Sequence, residues 1–121
     1  MIPRIVIRAP IEKINSKADA KLAALNEGVH QSGFMLEAEI KSSIAGQRAE
    51  PRSVDTGLFL SSVNTDVSVP YQAVVYSRVP YAKYLEFGTS RGVPRRHFFN
   101  SAMRMKSAIA QFIKRKLADV K

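Results

Sequence analysis

Apolar residues recur every three or four positions along one long stretch of the chain: Ala18, Leu22, Leu25, Val29, Gly33, Leu36, Ile40 and Ile44. Lys, Glu, Asn and Gln fill the positions between them. That spacing predicts a helix with one face against a core. Asn15 or Ser16 is placed to cap its start, and Gly46 to stop it. Gly28 and Gly33 fall inside the pattern, each at a cost of about 1 kcal/mol relative to alanine. They point to a kink, or to a place where another chain passes close by.

Elsewhere the period shortens to two. Ile2 to Arg8 mixes β-branched residues with arginine ahead of Pro10, which predicts a short edge strand. Val63, Thr65, Val67 and Val69 alternate with Asn64, Asp66 and Ser68, as a half-buried strand requires. Pro70-Tyr71 turns the chain, and Gln72 to Val79 returns as the second strand of an antiparallel hairpin.

Short helices and loops join these elements. Gln47 to Ser53 is polar, holds Pro51 and two arginines, and reads as an exposed, mobile loop. Val54-Asp55-Thr56-Gly57 leads into one or two helical turns, Leu58 to Ser62, whose free N–H groups Asp55 or Thr56 can accept. Pro80 opens a helix through Tyr81, Tyr84, Leu85 and Phe87 that Gly88 ends. Ser90 to Pro94 is a loop. Phe98, Ala102, Met105, Ile109, Phe112, Ile113, Leu117 and Val120 then form one face of a closing helix whose other positions are largely basic. The expectation is a single α+β domain over residues 1–121: a long N-terminal helix, a central antiparallel hairpin sheet with short helices, and a basic C-terminal helix.

Composition narrows the function. A chain of 121 residues suits one core that buries roughly two thirds of the unfolded surface. With no cysteine, disulfides, thiol catalysis and cysteine-bound zinc are out, which fits assembly in a reducing cytoplasm. The apolar start is too short for a signal peptide and is broken by Arg8, and no run approaches the ~18 residues of a membrane span. A soluble protein is expected. The net charge of +9 is concentrated at one end: residues 1–90 hold ten Lys/Arg against nine Asp/Glu, whereas residues 91–121 hold nine against one, a net of +8. An acidic partner should therefore meet the last quarter.

Catalytic constellations are hard to find. Asp55 and Glu86 are the only carboxylates within motifs; Asp55 suits a turn cap, and Glu86 suits pairing with an Arg or capping a neighbouring loop. His30 lies inside the long helix, and His97 stands among Arg95, Arg96, Phe98 and Phe99, a repulsive setting for a metal. Phe87 to Gly92 lacks the spacing and lysine of a phosphate loop. No cofactor is expected. The basic last helix with Tyr81, Phe98 and Phe99 nearby has the make-up of a nucleic-acid surface. Those aromatics also suit a core, and Lys114-Arg115-Lys116 suits the negative end of a helix dipole.

Three runs stand in order: Val54-Asp55-Thr56-Gly57, then Tyr81-Ala82-Lys83-Tyr84-Leu85-Glu86-Phe87-Gly88-Thr89, then Pro94 to Ala102. Together they resemble the small head–tail joining proteins (neck, tail-completion or minor tail components) of long-tailed bacteriophages and prophages. Asp55, Thr56, Gly57, Tyr81, Ala82, Tyr84, Glu86, Phe87, Gly88, Thr89 and Phe98 carry the likeness. Arg96-His97-Phe98-Phe99-Asn100-Ser101-Ala102 departs from the family's usual "RPFLRPA". The resemblance implies a non-enzymatic virion part, assembled in the host cytoplasm. It would form a sixfold or twelvefold ring with itself, between head-completion and tail proteins, with DNA passing through non-specifically and no membrane involved. Arg95, Arg96, Lys114, Arg115 and Lys116 are the expected partner-facing basic surface. The alternative is a small basic DNA-binding protein.

Overall fold

The computed structural model describes residues 2–9, 19–53, 57–89 and 92–120. Its elements are β1 (Arg4–Arg8), α1 (Asp19–Ile44), α2 (Leu58–Ser62), β2 (Asn64–Asp66), β3 (Gln72–Tyr76), α3 (Ala82–Phe87) and α4 (His97–Ala118). The fold is α+β, with three antiparallel strands in the order β1-β3-β2. The expected caps Asn15, Ser16, Asp55 and Thr56 lie outside the described residues.

The period-two patterns become two faces of one sheet. Arg4, Ile5, Val6, Ile7 and Arg8 sit opposite Tyr76, Val75, Val74, Ala73 and Gln72, and Thr65 sits opposite Val75. Ile5, Ile7, Thr65, Ala73 and Val75 are the more buried set and face the helices; Arg4, Val6, Arg8, Asn64 and Asp66 lie open. The ladder is shorter than the expected strands Val63–Val69 and Gln72–Val79. Asp66 accepts the backbone N–H of Ser68 at 2.8 Å, and this local turn takes the chain out of the ladder. The connection is then fixed from outside: Tyr71, at φ 61°, donates its N–H to Asn26 Oδ1 at 2.6 Å and accepts the N–H of Ala9 at 3.1 Å.

One side of the sheet is covered by α1 and α4. Leu36, Ile40 and Ile44 of α1 meet Val75 of β3, Phe59 of α2 and Phe98 and Ile109 of α4 in a continuous core. A second cluster joins Leu25 and Val29 to Ala9 and Ala73. Both helix glycines face other elements of the same chain. A methyl at Gly33 would stand 2.6 Å from Ala73 Cβ and 2.8 Å from Thr65 Cγ2, while one at Gly28 would meet α4 at an ordinary 3.6–3.7 Å. Gly33→Ala should therefore destabilise by about 1–2 kcal/mol, overpacking outweighing the gain in helix propensity. Gly28→Ala should be neutral or stabilising by up to ~1 kcal/mol. Chemical denaturation of the two variants tests the contrast; equal effects would contradict this packing.

Candidate functional site

The motif runs at 81–89 and 94–102 meet at one junction. Arg96, the residue before α4, has left-handed backbone angles (φ 53°, ψ 41°) and no side-chain cap of its own. Glu86, buried on α3, supplies the cap instead: Phe98 N–H donates to its Oε1 at 2.8 Å and Phe99 N–H to its Oε2 at 2.9 Å. Of the two readings open to Glu86, capping is the one observed. Burial pushes its pKa up, against the two backbone donors that favour the charged form. Gly88 turns the chain at φ 81°, where a methyl would stand 2.8 Å from Pro94 Cδ and 3.0 Å from Gly92 O. Arg95 N–H then reaches Leu85 O at 2.7 Å, and Thr89 and Gly92 bond each other's backbones. The spacing between the two runs is thus the length needed to bring a carboxylate on one helix to the start of the next.

Six residues is too short a helix to bury every aromatic. Ala82, Leu85 and Glu86 face inward at helical spacing, so Tyr84 and Phe87 are left half-exposed. Phe99 is half-exposed, Tyr81 is exposed and Val93 almost fully so. Of Tyr81, Phe98 and Phe99, which suit a core by sequence, Phe98 is buried, Tyr81 sets its ring edge-on to buried Phe59 with centroids 6.2 Å apart, and Phe99 stays half-exposed. Phe87, Arg96, Phe99 and Glu86 line a cleft of about 220 Å³, and Tyr84, Val93 and Arg95 help line a neighbouring one of about 410 Å³.

Behind this junction runs a buried polar chain. Ser43 donates to Glu50 Oε1 at 2.5 Å, so at His97 Nδ1, 2.7 Å away, it accepts. His97 Nε2 is then the acceptor for Ser53 Oγ–H at 2.8 Å, and Ser53 accepts from Arg95 Nη1 at 2.8 Å. At the other end Arg104 donates to both Glu50 oxygens at 2.8 Å and to Glu39 at 3.0 Å, and Arg48 donates to Glu39 at 2.6 Å. The Arg104 guanidinium is the main cause holding the Glu50 pKa down to about 2. Burial pulls His97 down to about 4, so the ring is neutral. A hydrolytic relay sets a carboxylate on one ring nitrogen of the histidine and a serine on the other. Here serines hold both nitrogens of a fully buried ring, and Glu50 reaches His97 only through Ser43. The chain clamps α1, the 47–53 segment and α4 together. The 47–53 segment is the exposed loop expected, with one exception: Glu50 is buried and ties it to the helices.

The five expected basic residues do not form one patch. Arg96 and Lys114 lie about 27 Å apart along α4 at 1.5 Å per residue. Arg95 is spent on Ser53 and the Arg52 carbonyl, and Lys116 pairs with Glu27 at 2.8 Å. Arg96, Lys114 and Arg115 remain exposed, with Lys106 on the same helix. Glu27, Glu37, Glu39, Glu50, Asp66 and Glu86, by contrast, all have partners within the chain. Among the described residues no cluster of three or more His, Asp or Glu is placed to hold a metal, and no helix is long and apolar enough to cross a membrane. No protein-family model, curated protein or solved structure matches the chain.

Proposed function

We propose that this chain is a structural virion subunit that joins a phage capsid to its tail. It does so by closing into a sixfold or twelvefold ring through which DNA passes, between head-completion and tail proteins. The observation that carries the reading is the sheet. Its two outer strands, β1 and β2, pair only with β3 among the described residues, so both edges offer backbone donors and acceptors to a neighbour. A subunit with two such edges can add copies on both sides until the circle closes. The half-exposed Tyr84, Phe87 and Phe99 provide further apolar surface of the kind that protein partners cover. Light scattering and negative-stain imaging of the purified protein should find ring-sized particles. A protein that stays monomeric at high concentration, alone and mixed with virion components, overturns the reading.

The placement of charge favours an acidic protein surface over the DNA lumen for the end of α4. A channel lined by six copies of this segment would bind phosphates through counterion release and slow the passage of DNA. Lys114→Glu/Arg115→Glu should therefore abolish joining to the acidic neighbour while costing the fold no more than about 1 kcal/mol at the helix end. Lys116 is left intact because it pairs with Glu27. Normal joining by this variant in a particle-assembly assay refutes the placement. The same exposed cations favour the alternative of a small DNA-binding protein, which predicts sequence-specific mobility shifts that weaken with salt yet outlast those on unrelated DNA.

A further inference from the structure

We propose that neighbouring copies join by the β2 edge of one subunit pairing in parallel with the β1 edge of the next. The inference rests on the ring reading above and adds which edges meet and in which direction. Both β1 and β2 run antiparallel to β3, so they point the same way. A two-fold pairing, β1 on β1 or β2 on β2, consumes like edges and does not generate a ring by itself; a ring requires the unlike edges to meet. Successive copies in such a ring differ by a sixth or a twelfth of a turn. A rotation of less than a quarter turn cannot reverse a strand. The incoming β1 therefore keeps the direction of its counterpart, which is also that of the β2 it meets.

Charge selects the same pairing. Arg4 and Arg8 project from β1 and Asp66 from β2, all on the open face of the sheet. Like edges together would set arginines against arginines, or aspartate against aspartate, which is unfavourable between adjacent strands. Unlike edges bring the opposite charges together. Apolar surface flanks both sides as well. Ile2 and Val6 are exposed at β1. Beside β2, Phe34 stands half-exposed on the α1 stripe whose His30 reaches Val69 O and whose Glu37 accepts from Thr65.

The rotation also fixes the faces. Open face must continue as open face, so the register can shift only in steps of two. Val6 of the next copy then stands beside either Asn64 or Asp66, while Thr65 continues the helix-covered face with Ile5 or Ile7.

Because the chain contains no cysteine, engineered pairs give a clean test. Adjacent strands hold Cα atoms within the range a disulfide spans. Either Val6→Cys/Asn64→Cys or Val6→Cys/Asp66→Cys, oxidised as the assembled particle, should give a ladder of covalent multimers up to the full ring. Each single substitution should give none. All three positions are exposed, and circular dichroism checks that each variant is folded. Dimers from a single variant would mean pairing of like edges and overturn the proposal. Ring-sized particles that cross-link through neither pair would place the joint elsewhere and leave the ring reading standing. A wild-type protein that never assembles removes both.

Discussion

Glu86→Ala should lower the stability of the chain by about 3 kcal/mol, since it strands one buried and one part-buried backbone N–H at the start of α4. Most helices find their cap in the residue just before them. Here that residue is Arg96, in a left-handed conformation with no side-chain cap to offer the free amides, and the carboxylate that caps them comes from the preceding helix. Glu86→Gln keeps the volume and one acceptor oxygen but turns an NH2 toward the second amide, so it should fall between wild type and alanine. Urea unfolding gives the ranking, and amide exchange at Phe98 and Phe99 localises the loss. An alanine variant within 0.5 kcal/mol of wild type, with unchanged protection at those amides, would remove the cap from the argument. The consequence reaches the proposed assembly too. The half-exposed Phe87 and Phe99 are held side by side by the element pair that Glu86 joins. The alanine variant should therefore lose partner binding before it loses its fold.

What the chain reveals of itself depends on how local the determinant is. The long helix was legible because Leu25, Val29, Leu36, Ile40 and Ile44 repeat at the helical period, and all five are buried. The hairpin was legible for the same reason at period two, and Gly88 as a stop because its conformation is a one-residue property. The 47–53 segment was legible only as an exposed loop. Its composition is that of a solvated loop, and the burial of Glu50 is decided by Arg104, fifty-four residues further on. Nothing within a window around Glu50 announces that partner. Gly33 marks a close approach, but a glycine gives no hint that Ala73 and Thr65 are the residues that make it. The exposure of Tyr84 and Phe87 was not legible for a simpler reason. Counting apolar residues does not say that a six-residue helix has only one inward face, and that Glu86 occupies part of it. The basic surface was read as one site because its residues share a helix, whereas the helix carries them to opposite ends and two are consumed by Ser53 and Glu27.

Acidification should unfold the chain in two overlapping steps that originate in the buried polar chain. His97 takes a proton near pH 6.5 when unfolded and only near 4 when folded. Between those values the unfolded state holds more protons, so the stability of the fold is complete above about pH 6.5 and drains away as pH falls toward 4. Glu50 continues the loss: it is held near 2 in the fold against 4.5 outside it, so its contribution disappears between about pH 4.5 and 2. Each step is worth on the order of 3 kcal/mol at 1.36 kcal/mol per unit. Together they are comparable with the whole stability of an ordinary domain. Glu86 runs the other way, because burial raises its folded pKa and the native state takes that proton first. Its protonation softens the fall at the expense of one acceptor at the α4 cap. The groups around His97 explain why it resists charging: Arg95 and Arg104 repel a second cation, and desolvation outweighs the attraction of Glu50. Urea midpoints measured from pH 8 to 3 should fall for wild type through the whole range. His97→Asn should be less stable at pH 7, having lost the edge contact with Phe59. Its stability should nevertheless be nearly flat between pH 6.5 and 4.5. Glu50→Gln should keep or steepen the upper slope, since Glu50 favours the charged imidazole, and should reduce the lower one, where Glu27, Glu39 and Asp66 still contribute. Its neutral-pH cost should be about 3 kcal/mol for leaving Arg104 with Glu39 as its one remaining carboxylate among the described residues. If His97→Asn keeps the wild-type slope above pH 4.5, the imidazole is not the group that titrates there. The clamp between α1, residues 47–53 and α4 would then owe its pH response to other carboxylates.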